Sequence, residues 1–593
     1  MNSLYTPSRW SLKELFPSHD SPEVTRAFEA LEDVVAKFEN YRDKLSSDMD
    51  INEFLDLIKQ QETISRLSLR ISQFSSLSFV EDTQDQKAQA FQAKVQNFLS
   101  DINNHILFFS LWFKGLEDNE ATKFLKAAGE YQHWLDQIRK YKPFTLTEPE
   151  EKIINIKDVT GAQALRRLYS MITNRYVFKV EVAGEMKEMT YEELVTLAFQ
   201  HDAELREKAY KELYRIYSRD GPILGQIYQS LIRDFNNENL DLRKYQKPIS
   251  WRNLANEVPD EVVETLLEVA QKNTSVFQRY FKLKAKWLQM DRLRRYDIYA
   301  PVTTSEIEYE YDFAVKFVLD TFKKFDPKIA ELAKRMFDEP HLDSEVRKNK
   351  RSGAVCYYLD PPNTPYVLMS YTRKVNDILT LSHELGHAIH AMLAGHHNMF
   401  NFDAPLPLAE TASTFAEMLV TDQLLATETN EDIKRDILFG QVADAYATIM
   451  RQIFFALFER EAYKLINNDA SIDDMSNAYY KILETQFGDS IELNEQFKWE
   501  WVTIPHFYHY PFYVYAYSFG QLLVLALYQQ YKQEGDSFIP RYLEILAAGG
   551  SKAPIEILDK AGVNIRTPEF WQGGFDAISD MIDILEAIPL KND

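Results

Sequence analysis

Glycine occurs 18 times in 593 residues, and that scarcity narrows the fold more than any other feature of the chain. Few positions can supply positive φ for tight turns, while Leu, Glu, Lys, Ala and Gln, which enter helices at little cost, recur throughout. Apolar residues carry the matching period. From Ser21 to about Tyr141 the pattern is helical almost without interruption: in TKFLKAAGEYQHWLDQIRKY, residues Phe124, Leu125, Ala128, Tyr131, Leu135, Ile138 and Tyr141 recur every three or four positions. Thr147, with Glu150 three residues on, reads as a capping box that opens a further helix. In YVFKVEVAGEMKEMTY the period drops to two, with Phe178, Val180 and Val182 alternating with Lys179 and Glu181 ahead of Gly184, which predicts a short hairpin. Helices resume from Glu192 to about Phe337, broken at YDIYAP. The stretch from Lys350 to Thr372, dense in Gly, Pro, Tyr and Val, predicts a small sheet inside a mostly α protein.

With 45% hydrophobic and 26% charged residues the chain has the balance of a globular protein with a sizeable core. It has no internal repeat and no low-complexity linker, and a division near residue 200 is the expected boundary. A formal charge of −23 argues against nucleic acid as a partner, because binders need clustered Lys and Arg to displace counterions from phosphates. The single cysteine, Cys356, excludes an intrachain disulfide and a cysteine-built metal site, and suits a reducing compartment. The opening MNSLYTPSRWSLKELF has no basic segment followed by an apolar core, and no apolar run reaches the roughly 18 residues that span a bilayer. The expected location is the cytoplasm, with no membrane contact. The sequence carries no signal for an oligomeric state.

Five of the twelve histidines fall in LTLSHELGHAIHAMLAGHH, which starts at Leu379. Here Val375, Ile378, Leu379, Leu385, Ile389 and Met392 mark the buried stripe of a helix. His383 and His387 lie four apart, so one turn brings both imidazoles to one face, and Glu384 projects beside them. Two histidines and an adjacent glutamate in this spacing suit a zinc hydrolase, with the histidines as ligands and Glu384 as base. Chance alone yields this five-residue pattern in a chain of this length on the order of one or two times in a hundred, and the periodic helix following a strand strengthens it.

Zinc needs a third protein donor and an open position. A metzincin would place Gly at 390 and His at 393, where this chain has His390 and Leu393. The better donor is in PLAETASTFAEMLVTDQLLA, where Glu410, Ser413 or Thr414, and Glu417 share a helix face; Glu410 is the expected third ligand and Glu417 a supporting carboxylate. His390, His396 and His397 stay outside the ligand set.

A second cluster, IPHFYHYPFYVYAYSFGQ, sets His506 and His509 among Tyr508, Tyr510, Tyr513, Tyr515 and Tyr517. Such density suits core packing with polar tips. It also suits a site that must donate a hydrogen bond to the oxyanion formed during attack on a carbonyl.

These segments resemble oligoendopeptidase F, a family related to thimet oligopeptidase. QIRKYKP, RNLANEVPDEVVETLL, YDIYAP, TLSHELGHAIH, ETASTFAEML and PFYVYAYSFG follow one another in the family's order, so the likeness spans roughly residues 1 to 590. The resemblance implies a mostly α, two-lobed fold enclosing a deep channel, with a small sheet beside the histidine helix. It implies an N-terminal helical region over 1–200 and a catalytic part over 201–593. It further implies a cytosolic endopeptidase with one Zn2+ ion that cleaves short oligopeptides and not folded proteins. By position, His383 and His387 match the family's zinc histidines, Glu384 its base and Glu410 its carboxylate ligand. The late residues match less cleanly: His506 with Tyr515 is the first assignment for oxyanion stabilisation, and His509 with Tyr513, read as substrate-binding, are the alternatives. The strand YVLMSY is expected to pair with an extended substrate. A helical zinc carboxypeptidase and an inactive peptide-binding scaffold are the rival classes.

Overall fold

Helices form where the three- and four-residue spacing predicts them. The computed structural model describes residues 5–302 and 308–589, and its chain divides into two compact units, each assembled from three separated stretches.

The first unit comprises Met1–Pro143, Glu306–Thr427 and Gln530–Val563. Three long helices, Pro22–Glu39, Ile51–Glu81 and Gln86–Gly115, bury Leu31, Phe38, Phe54, Leu57, Phe109 and Phe113 in one cluster that also takes in Tyr366 and Leu368 of the small sheet. Truncating a phenylalanine in such a core costs about 3–5 kcal/mol. The stripe from Thr122 to Tyr141 is not one helix. Asp118–Ala127 and Gln132–Lys140 are separated by a 3-10 turn in which Gly129 takes φ +57°, a left-handed conformation that glycine adopts at no steric cost. Phe124 and Leu135, one on each segment, still reach the same core.

The expected sheet has three strands, β1 (Leu342–Asp343), β2 (Val355–Tyr357) and β3 (Tyr366–Leu368), in the order β1-β3-β2. β1 runs parallel to β3, Leu342 facing Val367, and β2 runs antiparallel, Cys356 facing Val367. β3 is therefore central and fully buried, with both edges occupied. This corrects the expectation for YVLMSY: a strand paired on both sides has no free backbone groups for a substrate, and β2 is the edge that does.

The second unit comprises Phe144–Ser305, Glu428–Gln529 and Asn564–Asp593. The capping box forms, with the Thr147 backbone N–H donating to Glu150 at 2.9 Å. The hairpin forms as well: Phe178–Val182 pairs antiparallel with Glu185–Met189 through Ala183 and Gly184, at φ +53° and +83°. The 33-residue helix Ala203–Phe235 packs along the 3-10 segment Glu495–Thr503, where Tyr228 meets Trp501 at 5.6 Å between ring centroids. A two-residue parallel bridge joins Leu293–Arg294 to Ile491–Glu492. Among the described residues no helix is long and apolar enough to cross a membrane.

Candidate metal centre

The helix Val375–Ala394 follows β3 directly, and its start is held by Asp377, whose carboxylate accepts the backbone N–H groups of Thr372 and Lys374 at 2.6 and 3.0 Å. Ile378, Leu381, Leu385, Ala388 and Ile389 bury one side. That rotation leaves His383 and His387 half-buried together, their ring centroids 4.9 Å apart. Glu410 stands one residue before the helix Thr411–Thr427, and the Ser413 hydroxyl donates to its Oε2 at 2.6 Å.

The two helices bring the three expected ligands to one point. Glu410 Oε2 lies 3.4 Å from Nε2 of His383 and 3.4 Å from Nε2 of His387. The three ligand atoms all fall within 4.8 Å of one another, the one such group among the described residues. Donors about 2.1 Å from a tetrahedral ion are about 3.4 Å apart, so this donor set fits a zinc-sized cation. Glu417 Oε2 sits 3.4 Å from Nδ1 of His383, placed to orient that ring.

Electrostatics agree with a site built for a cation. Burial by itself lowers the pKa of His383, but Glu410 and Glu417 on its two nitrogens outweigh this and raise it to about 10. Burial likewise works against ionised Glu410, yet His383, His387 and Ser413 hold it down to about 2. His387 is pushed to about 4 by burial and presents a neutral imidazole. Glu384 is only 5% exposed and its Oε2 is buried with no hydrogen-bond partner. Burial raises it to about 7, His383 opposing and Glu410 adding to the rise.

The remaining histidines of the segment take no part in this group. His390 is buried and, through that burial, held down to about 4; His396 and His397 contact the backbone carbonyls of Leu393 and Ala547.

One residue between the two histidines escaped the sequence reading. A Cβ on Gly386 would lie 2.5 Å from Ser413 Cα, 2.7 Å from Ala412 O and 2.9 Å from Ala412 C. Glycine here lets the two ligand-bearing helices touch backbone to backbone. The available signal was a glycine in the middle of a buried helix, where it costs stability unless something approaches closely.

The late histidines and tyrosines lie in the second unit. His506 is half-buried on Pro505–His509, with Tyr517 Oη 3.4 Å from its Nε2 and the Tyr513 ring stacked 6.2 Å away. Burial lowers the His506 pKa, with Arg451 and His509 adding to the effect, so the ring is neutral at neutral pH and carries one N–H. His509 contacts the Ser170 hydroxyl at 3.2 Å. Tyr515 requires a correction. It is 0% exposed, and its hydroxyl accepts a hydrogen bond from Asn256 Nδ2 at 2.9 Å inside the unit. This phenol is sealed from solvent, whereas Tyr517 is 36% exposed.

Comparison with known proteins bears on these residues. The family model for peptidase family M3 matches residues 196–577, and that for oligopeptidase F matches 112–178. Oligopeptidase PepF of Bacillus subtilis (strain 168) is 26% identical over 98% of this chain and 87% of its own length. A crystal structure from Chlamydophila abortus superposes with a TM-score of 0.87 at 23% identity, covering 98% of both chains. Oligoendopeptidase-F from Enterococcus faecium superposes at 0.73 and 22% identity, covering 95% of this chain and 98% of its own.

Proposed function

The chain belongs to peptidase family M3, and on that premise we propose that it is a zinc endopeptidase that hydrolyses internal bonds of short peptides in the cytoplasm and spares folded proteins. The observation that carries the reading is the convergence of His383, His387 and Glu410 with Glu384 buried beside them. The name of the B. subtilis relative supports oligopeptides as the substrate class. All of these site residues fall within 201–593, the part of the chain we assign to catalysis, with 1–200 as the N-terminal region.

Nε2 of His383, Nε2 of His387 and Glu410 Oε2 would hold one zinc ion. When bound, the ion supplies Lewis acidity, which sharpens the acidity of water and polarises a carbonyl. Glu384 accepts the water's proton and delivers it to the leaving amine; a carboxyl near pH 7 is suited to both transfers. Glu417 accepts the Nδ1 proton of His383 and fixes the tautomer that leaves Nε2 free to ligate. The β2 edge pairs with the extended backbone of the substrate, giving affinity with little demand on side chains.

We assign the oxyanion donors to the His506 N–H and the Tyr517 hydroxyl, with Tyr513 and His509 as substrate contacts and Tyr515 as their buried support. Tyr517→Phe is expected to lower kcat by about 10²–10³-fold with KM little changed, since an oxyanion exists only in the transition state. Tyr515→Phe is expected to keep kcat much closer to the parent value. The opposite ranking in steady-state kinetics would return the role to Tyr515.

The functional reading is tested by metal analysis together with hydrolysis of an end-blocked peptide before and after chelation. Internal cleavage that disappears on chelation and returns with zinc is the expected result. Cleavage that requires a free C-terminus would sink the endopeptidase reading in favour of a carboxypeptidase.

A further inference from the structure

The second unit contains a cavity of about 410 Å3 of whose lining the proposed chemistry uses His506 alone. Exposed Tyr191, Phe199, Asp444 and Pro505 border it together with half-buried His506, while buried Arg295 and Glu500 line its interior. Most of the remaining wall is aromatic or aliphatic.

The four charged side chains of the lining, Arg295, Arg451, Glu500 and Asp444, balance in number but are unevenly paired. Arg295 Nη2 donates to Glu500 at 2.5 Å, and the second oxygen of Glu500 accepts the Tyr479 hydroxyl at 3.1 Å, so that pair is neutral in charge, although Arg295 Nε and Nη1 are buried with no hydrogen-bond partner. Arg451 differs. Its Nη1 donates to the neutral phenol of Tyr299 at 2.6 Å, and its Nε is buried with no hydrogen-bond partner. Glu500 is the carboxylate among its main electrostatic neighbours, and Arg295 already claims it. Asp444 is exposed at the border, where water screens it. A half-buried guanidinium with no ion pair among the described residues is costly to keep, and such groups in cavities mark sites where a ligand completes the charge balance.

We propose that this cavity is a substrate subsite that takes one carboxylate of the bound peptide, paired in fork geometry by Arg451, with the apolar walls covering the methylene stem. The assignment rests on the peptidase reading, in which His506, lining the same cavity, is given the oxyanion. The carboxylate belongs either to a Glu or Asp side chain or to the peptide's C-terminus, and the chemistry of recognition is the same for both.

The test uses the zinc-loaded enzyme and two peptide sets: end-blocked peptides with Glu or Gln at each position around the cleaved bond, and one peptide with a free or an amidated C-terminus. A preference of about 10- to 100-fold in kcat/KM for the carboxylate form is expected in one set, the size of a charge-assisted hydrogen bond. It should fall to about unity in Arg451→Met and survive in part in Arg451→Lys, which also keeps the test open if the methionine variant does not fold. A preference in the first set assigns a side chain, and one in the second assigns the chain end. No preference in either set, or one that Arg451→Met leaves unchanged, overturns the subsite. Failure to hydrolyse any peptide would refute the peptidase reading instead. The same peptide pairs are therefore also titrated calorimetrically into the Glu384→Gln protein. There, tighter binding of the carboxylate form that is lost on adding Arg451→Met upholds the subsite, and equal binding of both forms overturns it.

Discussion

Glu384→Gln is expected to lower kcat by about 10²–10⁴-fold, the range for loss of a general base, while metal content stays at one ion per chain. The amide nearly matches the carboxylate in shape and helix propensity, so the histidine helix and its ligands are left in place. What it cannot do is accept a proton. A metal-replete variant with parental turnover would refute the base assignment. A second readout comes from stability without metal. Burial raises the Glu384 pKa from 4.5 to about 7, so the folded state holds a proton that the unfolded chain releases between those values. Stability is then lost as pH rises through that window, by up to roughly 3 kcal/mol. The glutamine variant carries no such loss. Melting temperatures of the two metal-free proteins should therefore diverge in favour of the variant between about pH 4.5 and 7. Parallel curves would show that Glu384 is not desolvated.

Gly386→Ala should cost the protein its metal more than its fold. Alanine gains up to about 1 kcal/mol in helix propensity, and overpacking a tight contact costs typically 1–3 kcal/mol, so the net destabilisation is modest. The consequence for the site is larger. The atoms that the new Cβ would meet at 2.5–2.9 Å are backbone, so no rotamer relieves the clash and the two helices must separate. Glu410 precedes Ser413 by three residues, immediately before the helix that moves, while metal ligands tolerate about 0.2 Å. Losing a mere supporting group around a metal costs about 10–100-fold in affinity, and displacing a ligand should cost at least 100-fold. Metal titration of the variant beside a metal-free melt checks this. Parental affinity would mean that the helices yield without moving Glu410.

The helices were legible because their signal is local: each apolar residue reports its own position on a 3.6-residue cycle. His383 and His387 were legible for the same reason, since a four-residue step fixes a shared face wherever the helix lies. Glu410 could be named from the following helix, but nothing local says how closely two helices approach, and Gly386 therefore carried no reading. The tyrosines show the same limit. Tyr513, Tyr515 and Tyr517 alternate as though on a strand, yet a helix begins at Tyr515, and its rotation against the core turned Tyr515 inward and Tyr517 outward. Gly129 broke a stripe whose spacing alone ran straight through it.

Composition and periodicity thus determined the helical class, the short sheet and the two-histidine face, because these depend on contacts between residues a few positions apart. Strand order, which placed β3 at the centre and β2 at the edge, depended on pairing partners far along the chain. So did the 3.4 Å meeting of Glu410 with both imidazoles and the pairing of Glu500 with Arg295. Each is set by which distant surfaces exclude water together, and a pattern within one segment carries no record of the surface it will face.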